Sequence, residues 1–102
     1  MKLYIDTSDR DKIIVGIDEQ RFETDSKEGS SQKLLPFIEE VLKKKGASIK
    51  QITEIEVNTG PGSFTGLRVG VSVANTLGWA LGIPVNGKII QKDGPIEIAY
   101  ES

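Results

Sequence analysis

The sequence predicts an α/β domain with a mixed sheet and the element order βββαβαβ. Three runs that are rich in β-branched residues or alternate in polarity occupy the first quarter of the chain. Two segments with helical periodicity follow, and a strand-like run lies between them. Because a helix between two strands favours parallel pairing, whereas a short polar link favours a hairpin, the sheet should contain both kinds of pairing.

The first three strands are predicted at residues 3–5, 12–17 and 20–26. The link over residues 6–11 is polar and rich in turn formers, which favours an antiparallel hairpin between the first two strands. The third run alternates only weakly in polarity, so it should be the most exposed of the three.

A first helix is predicted between Ser30-Ser31, which would cap its start, and Gly46, which would follow its end. Pro36 conflicts with a start at residue 30, because proline lacks an amide and disfavours helix in the preceding residue. Either the helix starts later or its first turn bends. The apolar positions at helical spacing are Leu34, Leu35, Ile38, Val41 and Leu42.

The rest of the chain predicts a strand at residues 54–58, a second helix from residue 63 or 65 to 81, and a parallel strand at 84–87. Asp93-Gly94 lies between two apolar runs and predicts a C-terminal β-hairpin. No repeat or linker interrupts the chain. Residues 1–87 and the tail 88–102 are therefore predicted to belong to one domain.

The second helix carries a small residue at every fourth position and a wide apolar arc beside that stripe. The arc covers roughly 200°, about twice what packing on one sheet face requires. Either the neighbouring helix or another subunit should cover the excess. Trp79, on the more polar side, would anchor a partner or pack against the tail or the first helix. The predicted partner contacts are Leu34, Leu35, Ile38, Gly66, Val69, Gly70, Val73, Ala74, Leu77, Gly78 and Trp79.

The composition excludes several kinds of site. The 102 residues include no Cys and no His, so thiolate ligands, Cys nucleophiles and Ser-His pairs are excluded, and no metal or cofactor is expected. A net charge of -2 argues against direct coating of nucleic acid, because phosphate neutralisation requires clustered Lys and Arg. With no apolar run as long as a membrane span and no secretory signal at its start, the chain is expected in the cytoplasm.

The most informative segment, residues 60–68, turns the chain from a strand into the second helix. Pro61-Gly62 suits the centre of a type II turn, because proline fixes the first φ and glycine accepts a positive one. The helix start would offer free amides, the Ser63 and Thr65 hydroxyls and the Arg68 cation to an anion. The spacing is neither that of a P-loop nor that of the dinucleotide fingerprint, and tight packing is favoured over anion binding.

Three segments resemble the TsaB/YeaZ family, in the right order and at suitable spacing. They are Ile5-Asp6-Thr7-Ser8, Ser31-Gln32-Lys33-Leu34-Leu35-Pro36 and Gly60-Pro61-Gly62-Ser63-Phe64-Thr65-Gly66-Leu67-Arg68. The resemblance covers about residues 1–87 and implies the N-terminal lobe of an actin/Hsp70-like (ASKHA, ribonuclease H-like) fold. The motif residues that could approach an anion are Asp6, Thr7, Ser8, Gly60, Pro61, Gly62, Ser63, Thr65 and Arg68.

The resemblance implies a function without catalysis. Family members are accessory subunits in bacterial synthesis of threonylcarbamoyladenosine (t6A), a modified base of tRNA. They bind a catalytic paralogue, TsaD, through the two helices of this lobe, and an ATPase, TsaE, joins the complex. This chain would contact tRNA only indirectly. The catalytic paralogue holds its metal with two histidines, which this sequence lacks.

Three departures from the family pattern bear on these expectations. Ser30 stands where the family usually has His before the serine of the first-helix motif, and the loop over residues 6–8 lacks the glycine of nucleotide-binding relatives. The sequence has no counterpart of the second lobe, so poor or absent ATP binding is expected, because two-lobed relatives hold the nucleotide between lobes. The tail 88–102 is either a remnant of C-terminal strands or unrelated to them. The chain is either a natural short protein or a fragment.

Two other interpretations of the residues remain open. The chain could be a nucleotide- or anion-binding enzyme fragment that uses Asp6, Ser63, Thr65 and Arg68. It could also be an interaction module whose helical face closes a symmetric homodimer. The homodimer is compatible with a TsaD-like partner, because one face can exchange between the two.

Overall fold

The computed structural model describes residues 1–27 and 29–99. Four strands form one mixed sheet in the order β3-β2-β1-β4: β1 (Lys2–Asp6), β2 (Lys12–Ile17), β3 (Gln20–Asp25) and β4 (Glu54–Val57). β1 pairs antiparallel with β2 and parallel with β4, so the predicted mixed pairing is confirmed.

Two long helices cover the apolar side of the sheet. α1 (Ser30–Lys44) contacts β2, and α2 (Phe64–Leu81) contacts β1 and β4. A short 3-10 turn, Ile49–Gln51, leads from α1 into β4. None of the helices in the described ranges has the length and hydropathy of a transmembrane span. The fully buried centre of the core includes Leu3, Ile5, Ile13, Val15, Leu34, Ile38 and Val85.

The ends of α1 agree only in part with the sequence prediction. Its N-cap is Gly29, and no side chain caps the helix, so the predicted cap by Ser30-Ser31 is wrong. The helix begins before Pro36, so a later start is wrong as well. The predicted end is confirmed: Gly46 follows the helix with a positive φ of 67° and closes it in a Schellman motif.

The predicted strand at residues 84–87 is reduced to one bridging residue, Val85. Val85 pairs in parallel with Ile55 and antiparallel with Lys88. The Asn86 side chain then takes the place of strand backbone, since its Oδ1 accepts from the Val57 amide at 2.8 Å and its Nδ2 donates to the Val57 carbonyl at 3.1 Å. Asn86 and Gly87 leave the sheet in a tight turn with positive φ values of 50° and 79°.

The predicted C-terminal hairpin is wrong. Its first half contains the short helix α3 (Ile90–Asp93) instead of a strand. The Asp93 carboxylate accepts from the Ile89 amide at 3.1 Å, and Gly94 ends the helix with a φ of 83°. The segment after Gly94 pairs with no strand of the described part, and Tyr100, the end of the predicted strand, lies outside the described residues.

Candidate functional site

The first and third family-like segments meet at one edge of the sheet. β1 and β4 are parallel neighbours, so their carboxyl ends bring residues 6–8 and 58–63 together. The Ser63 amide donates to the Ser8 carbonyl at 2.7 Å, and the Asn58 amide donates to the Ile5 carbonyl at 2.9 Å. The two loops are therefore joined by direct hydrogen bonds.

Asp6 organises this junction by accepting hydrogen bonds from three residues. Its Oδ1 receives the Ser8 amide at 2.9 Å, the Ser8 hydroxyl at 2.6 Å and the Asn58 side-chain amide at 3.2 Å. Its Oδ2 receives the Tyr4 hydroxyl at 3.3 Å. Burial raises the pKa of Asp6, but these hydrogen bonds favour the carboxylate and outweigh burial, so the pKa lies below its ordinary value.

Asp6→Asn is expected to weaken the pH dependence of stability in acid. The folded pKa of Asp6 is lowered, so its contribution is present above the unfolded pKa of about 3.9 and is lost as pH falls through the folded pKa. The free energy of unfolding, measured with urea, should therefore fall less steeply below about pH 4 in the variant than in the wild type. Asp11→Asn removes an exposed carboxylate nearby and controls for net charge. Equal slopes for Asp6→Asn and wild type would contradict this role.

Thr7 is a packing residue beneath α2. It is fully buried, and its hydroxyl donates to the Gly66 carbonyl at 2.6 Å. A Cβ on Gly66 would collide with the Thr7 carbonyl, and a Cβ on Gly70 would collide with the Thr7 hydroxyl. Glycine at both positions lets α2 approach the loop after β1. The Thr7 hydroxyl donates its proton within the chain and faces α2, so its role here is in packing.

The glycine turn itself differs from the prediction. Gly62 has a φ of 156°, far from the roughly 80° of a type II turn, and the Ser63 amide donates to Ser8 instead of Gly60, so the predicted type II turn is wrong. A Cβ on Gly62 would lie 2.7 Å from the Ser8 carbonyl oxygen, and its φ is 156°. The glycine at position 62 is thus required by the close approach of the two loops.

Of the remaining anion candidates, Ser63 and Thr65 line a cleft of about 360 Å³ with Arg10, whereas Arg68 is not part of its lining. Ser63 is the N-cap of α2, and its hydroxyl accepts from the Gly66 amide at 3.5 Å. Thr65 and Arg68 are exposed, and the Arg68 guanidinium lies 5.7 Å from the centre of the Phe64 ring, within range of a cation–π contact. The geometry favours packing at this turn, and anion binding stays a prediction.

The small-residue stripe of α2 faces the chain's own sheet and loops. A Cβ on Gly78, for example, would collide with the Val85 side chain. Several predicted partner contacts are therefore wrong, because intramolecular packing already fills the space in front of them. They are Leu34, Ile38, Gly66, Gly70, Ala74 and Gly78.

The other predicted contacts remain at the surface, and we call them the helical face. Leu35 is 41% and Trp79 60% exposed, whereas Val69, Val73 and Leu77 are half-buried. Most of the Trp79 side chain is exposed, and its carbonyl accepts from the Gln91 side chain of the tail at 2.8 Å, so packing of Trp79 against the tail or the first helix stays a prediction. The neighbouring helix covers only part of the apolar arc, because a cleft of about 560 Å³ remains between α1 and α2. Its lining is Ser31, Thr65, Arg68, Val69, Ser72 and Val73.

Three asparagine side chains form hydrogen bonds that join separate segments of the chain, and none of them is among the site residues predicted from the sequence. Asn58 donates to Asp6 and accepts from the Gly60 amide at 2.9 Å, an Asx turn that an Asn two residues before a Gly can signal. Asn75 holds the tail, and Asn86 completes the edge of β4. The partners of the last two lie more than twenty residues away, so no local pattern indicates them.

Comparisons with known proteins agree on one family. The family described as TsaD, tRNA N6-adenosine threonylcarbamoyltransferase, matches residues 24–87. The tRNA threonylcarbamoyladenosine biosynthesis protein TsaB of Haemophilus influenzae is 38% identical over 55 residues, which are 54% of this chain and 23% of that protein. The tRNA N6-adenosine threonylcarbamoyltransferase of Ralstonia pickettii is 46% identical over 54 residues, 53% of this chain and 16% of that protein.

The comparison with solved structures agrees with the sequence comparisons and covers more of the chain. YeaZ from Pseudomonas aeruginosa superimposes with a TM-score of 0.70 at 28% identity, covering 82% of this chain and 41% of the YeaZ chain. This chain spans less than half of that relative and about a quarter of the Haemophilus protein. Its mixed sheet with two helices corresponds to the ASKHA-like architecture of these neighbours. The chain therefore belongs to the TsaD family of tRNA threonylcarbamoyladenosine biosynthesis proteins, in its TsaB/YeaZ branch.

Proposed function

We propose that this chain is a non-catalytic accessory subunit of t6A synthesis that binds a TsaD-like protein through the helical face. One observation carries the proposal. Among the described residues, three large apolar side chains are exposed, and all three lie on α1 or α2: Leu35 and Trp79 of the helical face, and Phe64 at the start of α2. Exposed apolar groups that are concentrated on one pair of helices are typical of a protein interface.

The packing of the helices supports this use of their outer side. The glycines on the inner side of α2 lie so close to Thr7 and Val85 that they leave no room for a Cβ, so α2 packs tightly against the rest of the chain. A rigid pair of helices can present apolar side chains without a large cost in conformational entropy on binding. Trp79, with an indole that is 60% exposed, is the side chain best suited to anchor a partner.

The chemistry of the junction supports a role without catalysis. The Ser8 hydroxyl donates to Asp6, which is the nearest arrangement to a nucleophile with its base. A carboxylate whose pKa is lowered is a weak base, so it would remove a proton from serine inefficiently. The sequence contains no His or Cys that could take over either role.

The wider assignments belong to the same proposal. We place the chain in the cytoplasm, with a TsaE-like ATPase in the larger assembly and with tRNA contacted only through the partner. We also propose that residues 88–102 belong to the same domain as residues 1–87. Supporting this, Ile90 and Ile96 are buried in the core cluster, and the Ala99 amide donates to the Thr59 carbonyl at 2.9 Å.

Co-expression with the TsaD-like protein of the same organism tests the proposal. We expect a one-to-one complex in size-exclusion chromatography with light scattering, and t6A formation that depends on this chain. If the TsaD-like protein modifies tRNA equally well alone and no complex elutes, the proposal is wrong. A stable homodimer that excludes the TsaD-like protein would also overturn it, because the helical face would then belong to a second copy.

A further inference from the structure

The turn after Val85 has the dipeptide Asn86-Gly87 at its tip, and both residues are exposed. The Val85 amide donates to the Lys88 carbonyl at 2.8 Å, and the Lys88 amide donates to the Val85 carbonyl at 2.9 Å. The two residues between them have positive φ values of 50° and 79°, as a type I′ turn requires, and Asn-Gly is a preferred dipeptide of that turn. Asn86 and Gly87 therefore form the loop of a minimal hairpin.

An asparagine before a glycine is also a chemically labile position. The backbone nitrogen of the following residue can attack the asparagine Cγ and close a succinimide ring, and glycine hinders this attack least because it has no Cβ. The sequence contains three asparagines, and of these Asn86 alone precedes glycine. Asn58 and Asn75 precede threonine, whose branched Cβ obstructs the same attack.

In the folded chain, the backbone of Val57 holds the Asn86 carboxamide at the edge of β4. Its Oδ1 accepts from the Val57 amide at 2.8 Å, and its Nδ2 donates to the Val57 carbonyl at 3.1 Å. Ring closure requires a near-attack arrangement of the Asn86 Cγ and the Gly87 nitrogen. A carboxamide that is bonded through both its oxygen and its nitrogen is not free to rotate into that arrangement.

We propose that Asn86 is a site of spontaneous deamidation that the folded edge of β4 protects and that opening of this edge activates. When the bonds to Val57 break, the Gly87 nitrogen bonds to the Asn86 Cγ and gives up its proton. The Cγ–Nδ2 bond breaks, and the side-chain nitrogen leaves as ammonia with that proton. Water then opens the ring to aspartate or isoaspartate, and the exposure of the turn makes water available.

The product can no longer complete the edge of β4. An ionised carboxylate has only acceptors, so it cannot donate to the Val57 carbonyl, and isoaspartate also lengthens the backbone of the turn. Val57 is followed by Asn58, whose side chain donates to Asp6 in the junction between the loops. Loss of the edge therefore weakens the support of that junction, and the reaction makes a transient opening irreversible.

Peptide mass spectrometry of the wild-type chain tests the protection, because deamidation changes the mass of the fragment that contains Asn86. The chain is incubated in mildly alkaline buffer, folded in one sample and unfolded by urea in the other. We expect deamidation at Asn86 to be at least about tenfold slower in the folded chain, because only locally opened molecules react. The peptide Pro-Val-Asn-Gly-Lys, the sequence of residues 84–88, measures the effect of urea itself on the rate.

The other asparagines and the glycine provide the controls for that experiment. In the unfolded chain, Asn58 and Asn75 should deamidate far more slowly than Asn86, and Gly87→Ala should slow the reaction at Asn86. Equal rates at Asn86 in the folded and unfolded chains would overturn the inference, since the edge would then give no protection. So would an unfolded chain in which the three asparagines react alike.

A substitution tests the consequence for the edge. Asn86→Asp has the covalent structure of one product and should lower the urea midpoint of unfolding, because the donor to Val57 is lost. Gln32→Glu makes the same chemical change at an exposed side chain of α1 and should not lower the midpoint. A midpoint of Asn86→Asp equal to that of wild type would show that the bonds to Val57 do not hold the edge, contrary to the inference.

Discussion

Gly70→Leu is expected to destabilise the fold by at least about 3 kcal/mol and to leave much of the chain unfolded at 37 °C. A Cβ at this position would collide with the Thr7 hydroxyl, and it would lie 3.4 Å from the Ile5 side chain. Thr7 is fixed by its hydrogen bond to Gly66, so the loop cannot move aside without losing a buried bond. The gain in helix propensity, about 0.8 kcal/mol, is too small to compensate.

Urea denaturation followed by circular dichroism measures this effect. Ser72→Leu is the matched control, because it introduces the same side chain two residues later on the exposed side of α2. Its free energy of unfolding should stay within about 1 kcal/mol of wild type. Similar midpoints for Gly70→Leu and Ser72→Leu would show that the inner side of α2 tolerates side chains, contrary to the packing described above.

The glycine stripe shows what the sequence can and cannot establish. Small residues at every fourth position correctly indicate that something approaches α2 closely. They do not indicate whether that neighbour is a partner helix or the chain's own sheet, because both require the same absence of side chains. In the structure the stripe packs against Thr7, which follows β1, and against Val85, so substitutions at Gly70 or Gly78 test folding and do not test association.

Elements with long or regular patterns could be predicted, and short ones could not. β2 is a run rich in β-branched residues, and α2 has a clear start at Ser63 and a left-handed stop at Gly82, so their bounds follow from local chemistry. The tail has no such determinant. Asp93-Gly94 suits either a hairpin or the end of a helix, and burial of Ile90 and Ile96 in the core favours the helix.

The junction between the loops is not predicted from the sequence. Parallel pairing is predicted only across the second helix, between residues 54–58 and 84–87, whereas the parallel neighbours that bring Asp6 near the glycine turn are β1 and β4. That Asp6 uses its oxygens for internal hydrogen bonds depends on Tyr4 and Asn58, whose side chains meet it only in the folded chain. Asp6 of the motif therefore serves as a structural junction, and anion binding by the motif stays a prediction.

The helical face yields the prediction with the largest expected effect on association. Leu35→Asp should weaken binding of the TsaD-like protein at least tenfold, equivalent to about 1.4 kcal/mol, because the new charge would be desolvated at an apolar interface. The side chain is 41% exposed, so stability of the free chain should change little. Surface plasmon resonance against the immobilised TsaD-like protein, with melting temperatures of the free variants, separates the two effects.

Gln32→Asp is the control for that experiment. Gln32 lies on the same helix, three residues earlier, and is exposed, and an Asp in the first turn of α1 interacts favourably with the helix dipole. It adds the same charge to the same helix, but on a polar surface that should stay outside the apolar contact. If both variants bind as tightly as wild type while the complex forms, the TsaD-like protein uses another surface, and Leu35 is exposed for a different reason. If Leu35→Asp alone loses affinity at unchanged stability, the apolar side of α1 and α2 that faces away from the sheet is the docking surface.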